Sequence, residues 1–279
     1  MTPVEETTDT IDRLRPGRRP KEPAVMHQRW SDLLFLHWPV PVECLRPLVP
    51  PALTIDTFEG EAFVGLVPFA VSGLRPPLLP PLPVLSRFDE VNVRTYVHLG
   101  GRDPGVWFFS LDASSLLAVQ AARALYKLPY YAARIRFTGR GSRSPDGFIE
   151  FACERSRTGS KAVGCTVRYR PTASATPAEP GTLEHFLIER YVLYAESKGS
   201  LYRARVHHLP YPVQPAEVEG LRDSLVAAAG LPGPDSPPHA HYAAGVEVEV
   251  FPPKLIRKRS GARRVGPRSK TSRREGVER

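Results

Sequence analysis

Four side chains suited to holding an anion or a carbonyl recur at every second position in residues 88–99, FDEVNVRTYVHL: Glu90, Asn92, Arg94 and Tyr96. Together they offer an acid, an amide, a phenol and a planar guanidinium fork that matches a carboxylate. The positions between them are Val91, Val93, Thr95 and Val97. Strict alternation of this kind predicts a β-strand, its β-branched face on a core and the four polar groups together on the other face. The polar row is either wetted surface or the lining of a pocket.

After the turn-rich GGRDPG at 100–105, the chain reads VWFFSLDA and alternates again. Trp107, Phe109, Leu111 and Ala113 fall on one face; Val106, Phe108, Ser110 and Asp112 fall on the other. Pairing the two strands as a hairpin with their apolar sets matched brings Ser110 and Asp112 beside Asn92 and Arg94. Residues 114–128 form the clearest helix, with Ser114 or Asp112 as the cap and Pro129 as the stop. Tyr130 and Tyr131 follow, at the head of a strand over 132–138. A strand, helix and strand in that order return the chain to one sheet. A tyrosine there either approaches the Arg94 face or packs as a partly buried aromatic.

The remaining segments supply the scaffold. Residues 61–71 read as a strand buried on both sides, with Pro68 marking an edge or a bulge. Residues 73–83 read as an extended, proline-rich loop. A hairpin over 148–170 sets Cys153 near Cys165, two small buried hydrophobes. Thr182 caps a helix carrying Leu183, Phe186 and Leu187; 202–206 is a strand, 216–229 a helix and 242–251 a last strand. His37, inside an apolar segment, reads as a hydrogen-bonded core residue. His239 and His241 have no Cys or acidic neighbour in sequence, so no metal site is assigned, and no cofactor is implied.

Composition narrows the class. The 279 residues suit one large β-rich domain or two small ones, and 31 prolines favour turns and short strands over long helices. The net charge of +9 resides in residues 254–279, which hold 11 basic and 2 acidic residues and leave 27 of each sign elsewhere. Basicity therefore belongs to a disordered tail able to make nonspecific anion contacts, and it gives the folded part no nucleic-acid character. Residues 1–25 read as a flexible leader and 26–253 as the domain. No apolar run approaches the ~18 residues of a membrane helix, and three cysteines without CxxC spacing fit a reducing cytoplasm.

Five stretches in order resemble the YqjF-like family of unknown function, within the acetoacetate decarboxylase superfamily: WSDLLFLHWPVP, FDEVNVRTYV, PGVWFFSLDA, LPYYAA and GTLEHFLIERYVLY. The resemblance implies an α+β fold, mainly an antiparallel β-barrel of the acetoacetate decarboxylase-like type with a few packed helices. It places the Glu90 to Tyr96 row in the lumen. Decarboxylases of the superfamily use a Schiff-base lysine just after a proline that follows the helix; the comparable positions here look like Pro129, Tyr130 and Tyr131. Phenols form no imine, and Lys127 would serve only if its helix presented it inward.

The site that remains suits a small-molecule ligand, a carboxylate or carbonyl compound. Arg94 would take the anion, Glu90 and Asp112 would balance its charge, and Tyr130 or Tyr131 would donate to a carbonyl oxygen. The functional expectation is a lumen-binding protein without the Schiff-base lysine. The alternatives are a lyase-type enzyme acting on a keto acid and a binding-only protein with no turnover.

Overall fold

Alternating side chains lay most of this chain out as strand, and the computed structural model describes residues 11–80, 86–140, 147–156 and 162–257. In chain order the elements are β1 (Met26–Val40), α1 (Val42–Leu45), β2 (Thr54–Ile55), β3 (Ala62–Arg75), β4 (Arg87–Leu99), β5 (Arg102–Ala113) and α2 (Leu116–Tyr126). Then come β6 (Tyr130–Thr138), β7 (Ile149–Arg155), β8 (Gly164–Pro171), α3 (Leu183–Ile188), β9 (Val192–Ser197) and β10 (Ser200–His207). The chain ends with β11 (Val213–Asp223), α4 (Leu225–Ala228), β12 (His239–Val250) and β13 (Lys254–Arg257). The expected mostly antiparallel strand fold with few helices is what forms.

The strand pairings close on themselves twice. One circuit runs β1–β3–β4–β5–β9–β10–β12 and back to β1. The other leaves β5 through β6, β7, β8 and β11 and rejoins at β12. The shared run β12–β1–β3–β4–β5 is therefore a wall between two cores. Along β1, Leu33 and Phe35 enter one core while Leu34 and Leu36 enter the other. Along β4, Tyr96 joins the first core, and Val91 and Val93 the second.

Pro68, read as an edge or bulge, is at a bulge: the β1–β3 register shifts between Ser31↔Ala70 and Leu36↔Leu66, where Pro68 has no N–H to give. Cys153 and Cys165 stand directly opposite each other as free, buried thiols. The helix expected over 114–128 is the shorter α2, and Ser115 rather than Ser114 or Asp112 caps it, accepting from Ala118 N–H. The proline-rich segment begins inside β3, and its residues 81–83 lie outside the described residues.

Three expectations need correction. Residues 216–229 are the end of β11 followed by the short α4, although Ala, Glu and Leu favour a helix. The strand is stabilised by β8 across from it, where Glu217 pairs with Arg170 and Glu219 with Arg168, and Gly220, at φ +60°, occupies the register shift beyond. The segment 11–25 is pinned to the domain: Arg13 binds Asp56 at 2.5 Å, Arg19 forks onto Glu249, and Arg205 donates to the carbonyls of Pro16 and Arg18. Residues 1–10 lie outside the described residues. The boundary at 253 falls inside the sheet, because β13 pairs with β10; residues 258–279 lie outside the described part.

A chain ending at Pro253 should be less stable than one ending at Arg257 by about 1–2 kcal/mol, the worth of a few edge hydrogen bonds. Denaturant unfolding of the two truncated chains compares them directly, and coincident midpoints would show that β13 contributes nothing.

Candidate functional site

A cavity of about 100 Å³, room for several waters, is lined mainly by β1, β3, β4 and β5 of the first circuit, with Leu193 of β9 and residues beside α2 and α3. Apolar side chains such as Phe35, Phe69, Phe108 and Leu111 form most of its lining, and the charged members are Glu90, Arg94 and Arg190.

Arg94 is 8 % exposed. Its Nη2 donates to the Leu187 carbonyl at 3.2 Å, in the last turn of α3, where carbonyls lack intrahelical donors. Its Nε has no partner, and no carboxylate pairs with it among the described residues. The guanidinium lies over the rings of Phe35 and Tyr96, 5.6 and 5.7 Å from their centroids. Room for it comes from Gly65 across the strand pair. A Cβ there would meet the His37 ring at 3.0 Å and Arg94 Cγ at 3.3 Å.

Tyr96 is fully buried, and its hydroxyl donates to the same Leu187 carbonyl at 2.7 Å. With that proton committed, His37 Nε2–H is the donor in the 2.6 Å bond to the Tyr96 oxygen. Burial, reinforced by Arg94, holds the His37 pKa well below its ordinary value, so the ring is neutral. Tyr96 thus supports the site from behind the lining.

Glu90 stands four residues along β4 from Arg94. Tyr130 donates to its Oε2 at 2.9 Å. Burial pushes the Glu90 pKa up to about 8, and Asp112 adds to the rise while the Tyr130 bond opposes it. The carboxyl is therefore mainly neutral at pH 7. Between the two, Asn92 is buried with its Oδ1 unpartnered.

Of the sequence-predicted residues, Glu90, Asn92, Arg94 and Tyr130 line one cavity. Ser110, Asp112 and Tyr131 do not. The β4–β5 register shifts between Val93↔Ser110 and Arg94↔Phe108, which makes Phe109 a bulge residue. Phe108 and Val106 then share a side with Arg94, whereas Ser110 and Asp112 share the side of Val93 and Val91, in the other core. There Asp112 receives a fork from Arg155, Nε at 2.6 Å and Nη2 at 2.7 Å, and Arg155 lies 3.9 Å over the Tyr131 ring. Asp112 balances Arg155 rather than Arg94. Lys127 ends α2 in a left-handed conformation, exposed, its ammonium on the Ala124 carbonyl, and so faces away from the cavity. His241 does have an acidic partner, Glu184, 2.9 Å away.

Two lining residues were not singled out from sequence. Arg190, just past α3, donates to Asp56 at 2.9 Å and to the Phe186 carbonyl at 2.7 Å. Tyr211 is buried on the cavity, its phenol pKa raised by burial and Glu189 and lowered by Arg94. The one signal for Arg190 was a charged pair, Glu189-Arg190, closing an apolar helix.

A family model of an uncharacterized conserved protein, DUF2071, matches residues 27–247. The chain belongs to the DUF2071 family. The uncharacterized protein YqjF of Bacillus subtilis (strain 168) is 39% identical to this DUF2071 chain over 228 residues, covering 82% of this chain and 91% of that protein. Solved structures show the same fold at low identity. The enduracididine biosynthesis enzyme MppR complexed with pyruvate matches with a TM-score of 0.58 at 13% identity, over 84% of this chain and 91% of that one. An acetoacetate decarboxylase-like enzyme from Sphingomonas wittichii RW1 matches with a TM-score of 0.58 at 11% identity, over 85% and 94%. The fold of this DUF2071 member is thus acetoacetate decarboxylase-like.

Two outcomes follow for this DUF2071 site. Because the folded Glu90 pKa lies above the unfolded value of 4.5, its contribution to stability is full below pH 4.5 and is lost as pH rises through about 8. Unfolding free energies should therefore show the native protein losing a few kcal/mol relative to Glu90→Gln between pH 5 and 9; parallel profiles would mean Glu90 is ionised throughout. Asp112→Ala should cost about 3–5 kcal/mol by stranding Arg155, a loss read from denaturant midpoints. A loss under about 1 kcal/mol would contradict the buried pair.

Proposed function

We propose that the cavity holds a small carboxylate, a 2-oxo acid or a related carbonyl compound, with the carboxylate on Arg94. On this reading the first circuit of strands works as a β-barrel and the cavity is its lumen. The observation that carries the proposal is the Arg94 guanidinium: buried beside the cavity, with one hydrogen bond to the protein and no carboxylate partner among the described residues. An unpaired buried cation costs several kcal/mol, which a bidentate carboxylate offsets. Neutral Glu90, which accepts from Tyr130 at Oε2, supplies the donor for a carbonyl oxygen at the other end from its remaining oxygen, and Asn92 bridges the space between. The pyruvate complexed with MppR is a compound of this class and makes a natural probe.

One observation favours a second reading, acid/base turnover of such a ligand: the Glu90 pKa of about 8 lies near a neutral operating pH. Imine chemistry is no part of the proposal. Lys127 is turned outward, and the described cavity lining contains no lysine.

Calorimetric titration with pyruvate and acetoacetate tests the site. Arg94→Gln should weaken binding about ten- to a hundredfold, the worth of a charge-assisted pair, and an unchanged Kd overturns the proposal. Following the same compounds by NMR separates the readings. Conversion that disappears in Glu90→Gln favours turnover, and ligand retained without product favours binding alone.

A further inference from the structure

A second cavity of about 240 Å³ lies against the first, beneath α2. Six residues line both: Gln28, Trp30, Phe88, Leu128, Tyr130 and Leu193. No charged side chain lines the second cavity among the described residues.

Its space has a cause in the helix. Ala118, Ala121 and Ala122, at helical spacings of three and four, turn toward it, where a helix on a sheet ordinarily places larger apolar groups. Two leucines of α2, Leu116 and Leu117, point to solvent instead, and Leu125, exposed as well, stands at the rim of the cleft. The polar groups on the border are turned onto one another. Trp30 Nε1 donates to Gln28 Oε1 at 2.8 Å, and Tyr130 donates to Glu90. The cleft is thereby left with apolar walls and joins the polar cavity at Tyr130.

We infer that the two cavities form one bipartite site, whose ligand is a 2-oxo acid or similar carboxylate bearing an apolar chain of several carbons. The head group sits between Arg94 and Glu90, and the chain passes Tyr130 into the cleft under α2. This inference rests on the head-group reading above and adds the class of ligand.

Calorimetric titration of the full chain with pyruvate, 2-oxohexanoate and 2-oxooctanoate tests it. A fully buried methylene tightens binding about fourfold, so Kd should fall by at least about tenfold from the shortest acid to the longest. Ala122→Phe, which fills the cleft, should erase that gain, with thermal melting to show that the variant is folded. Equal Kd values along the series with dependence on Arg94 retained, or a gain that survives Ala122→Phe, overturn the bipartite site and leave the head-group reading standing. No binding by any of the acids, or binding indifferent to Arg94→Gln, overturns both. Should Ala122→Phe fail to fold, the chain-length series in the unaltered protein decides.

Discussion

A stretch of strand buried on both faces has no solvent side on which to leave a polar group, and the inner parts of β1, β3, β4 and β5 are in that position. They belong to the wall β12–β1–β3–β4–β5 between two cores, so each charged side chain buried there must find a partner, a helix end or an empty space. Asp112 finds Arg155 on one side. On the other, Arg94 and Tyr96 converge on a carbonyl at the end of α3, and Glu90 gives up its charge to remain beside Tyr130. The cavity exists where these solutions leave the wall without a packed neighbour.

One extra residue determines which groups share it. Without the bulge at Phe109, continued alternation would set Phe108 on the same side as Ser110 and Asp112. The bulge reverses the phase of β5 between Ser110 and Phe108, so that apolar Phe108 and Val106 stand beside Arg94. The cavity is thereby kept mostly apolar around Arg94, which has no carboxylate partner among the described residues. In that setting a guanidinium discriminates strongly between a carboxylate and water.

Much of the scaffold was legible because its strands alternate: the polar row of β4, the facing cysteines of β7 and β8, and the last long strand all follow from period-two patterning. The β4–β5 partnership was legible too, but its register was not. Matching apolar faces sets register only where one face meets water, and here both are buried, so Ser110 and Asp112 were placed on the wrong side. The segment 216–223 misled because Ala216, Glu217, Glu219 and Leu221 favour a helix on their own; the Arg168 and Arg170 side chains that hold it extended come from a strand about 50 positions earlier. Arg190 and Tyr211 reach the cavity through chain geometry that leaves no local pattern. The YqjF-like resemblance, by contrast, placed the chain in its fold.

Asp56 accepts from two guanidiniums at once, Arg13 of the outer N-terminal segment and Arg190 of the cavity lining. Arg13 also lies over the Phe186 ring, which meets the Tyr96 ring at a tilt of 52° with centroids 5.3 Å apart. An outer stretch of chain with a single 3-10 turn is thereby joined through one carboxylate to the lining of the chamber, so that the counter-ion of Arg190 is shared with a residue 177 positions earlier.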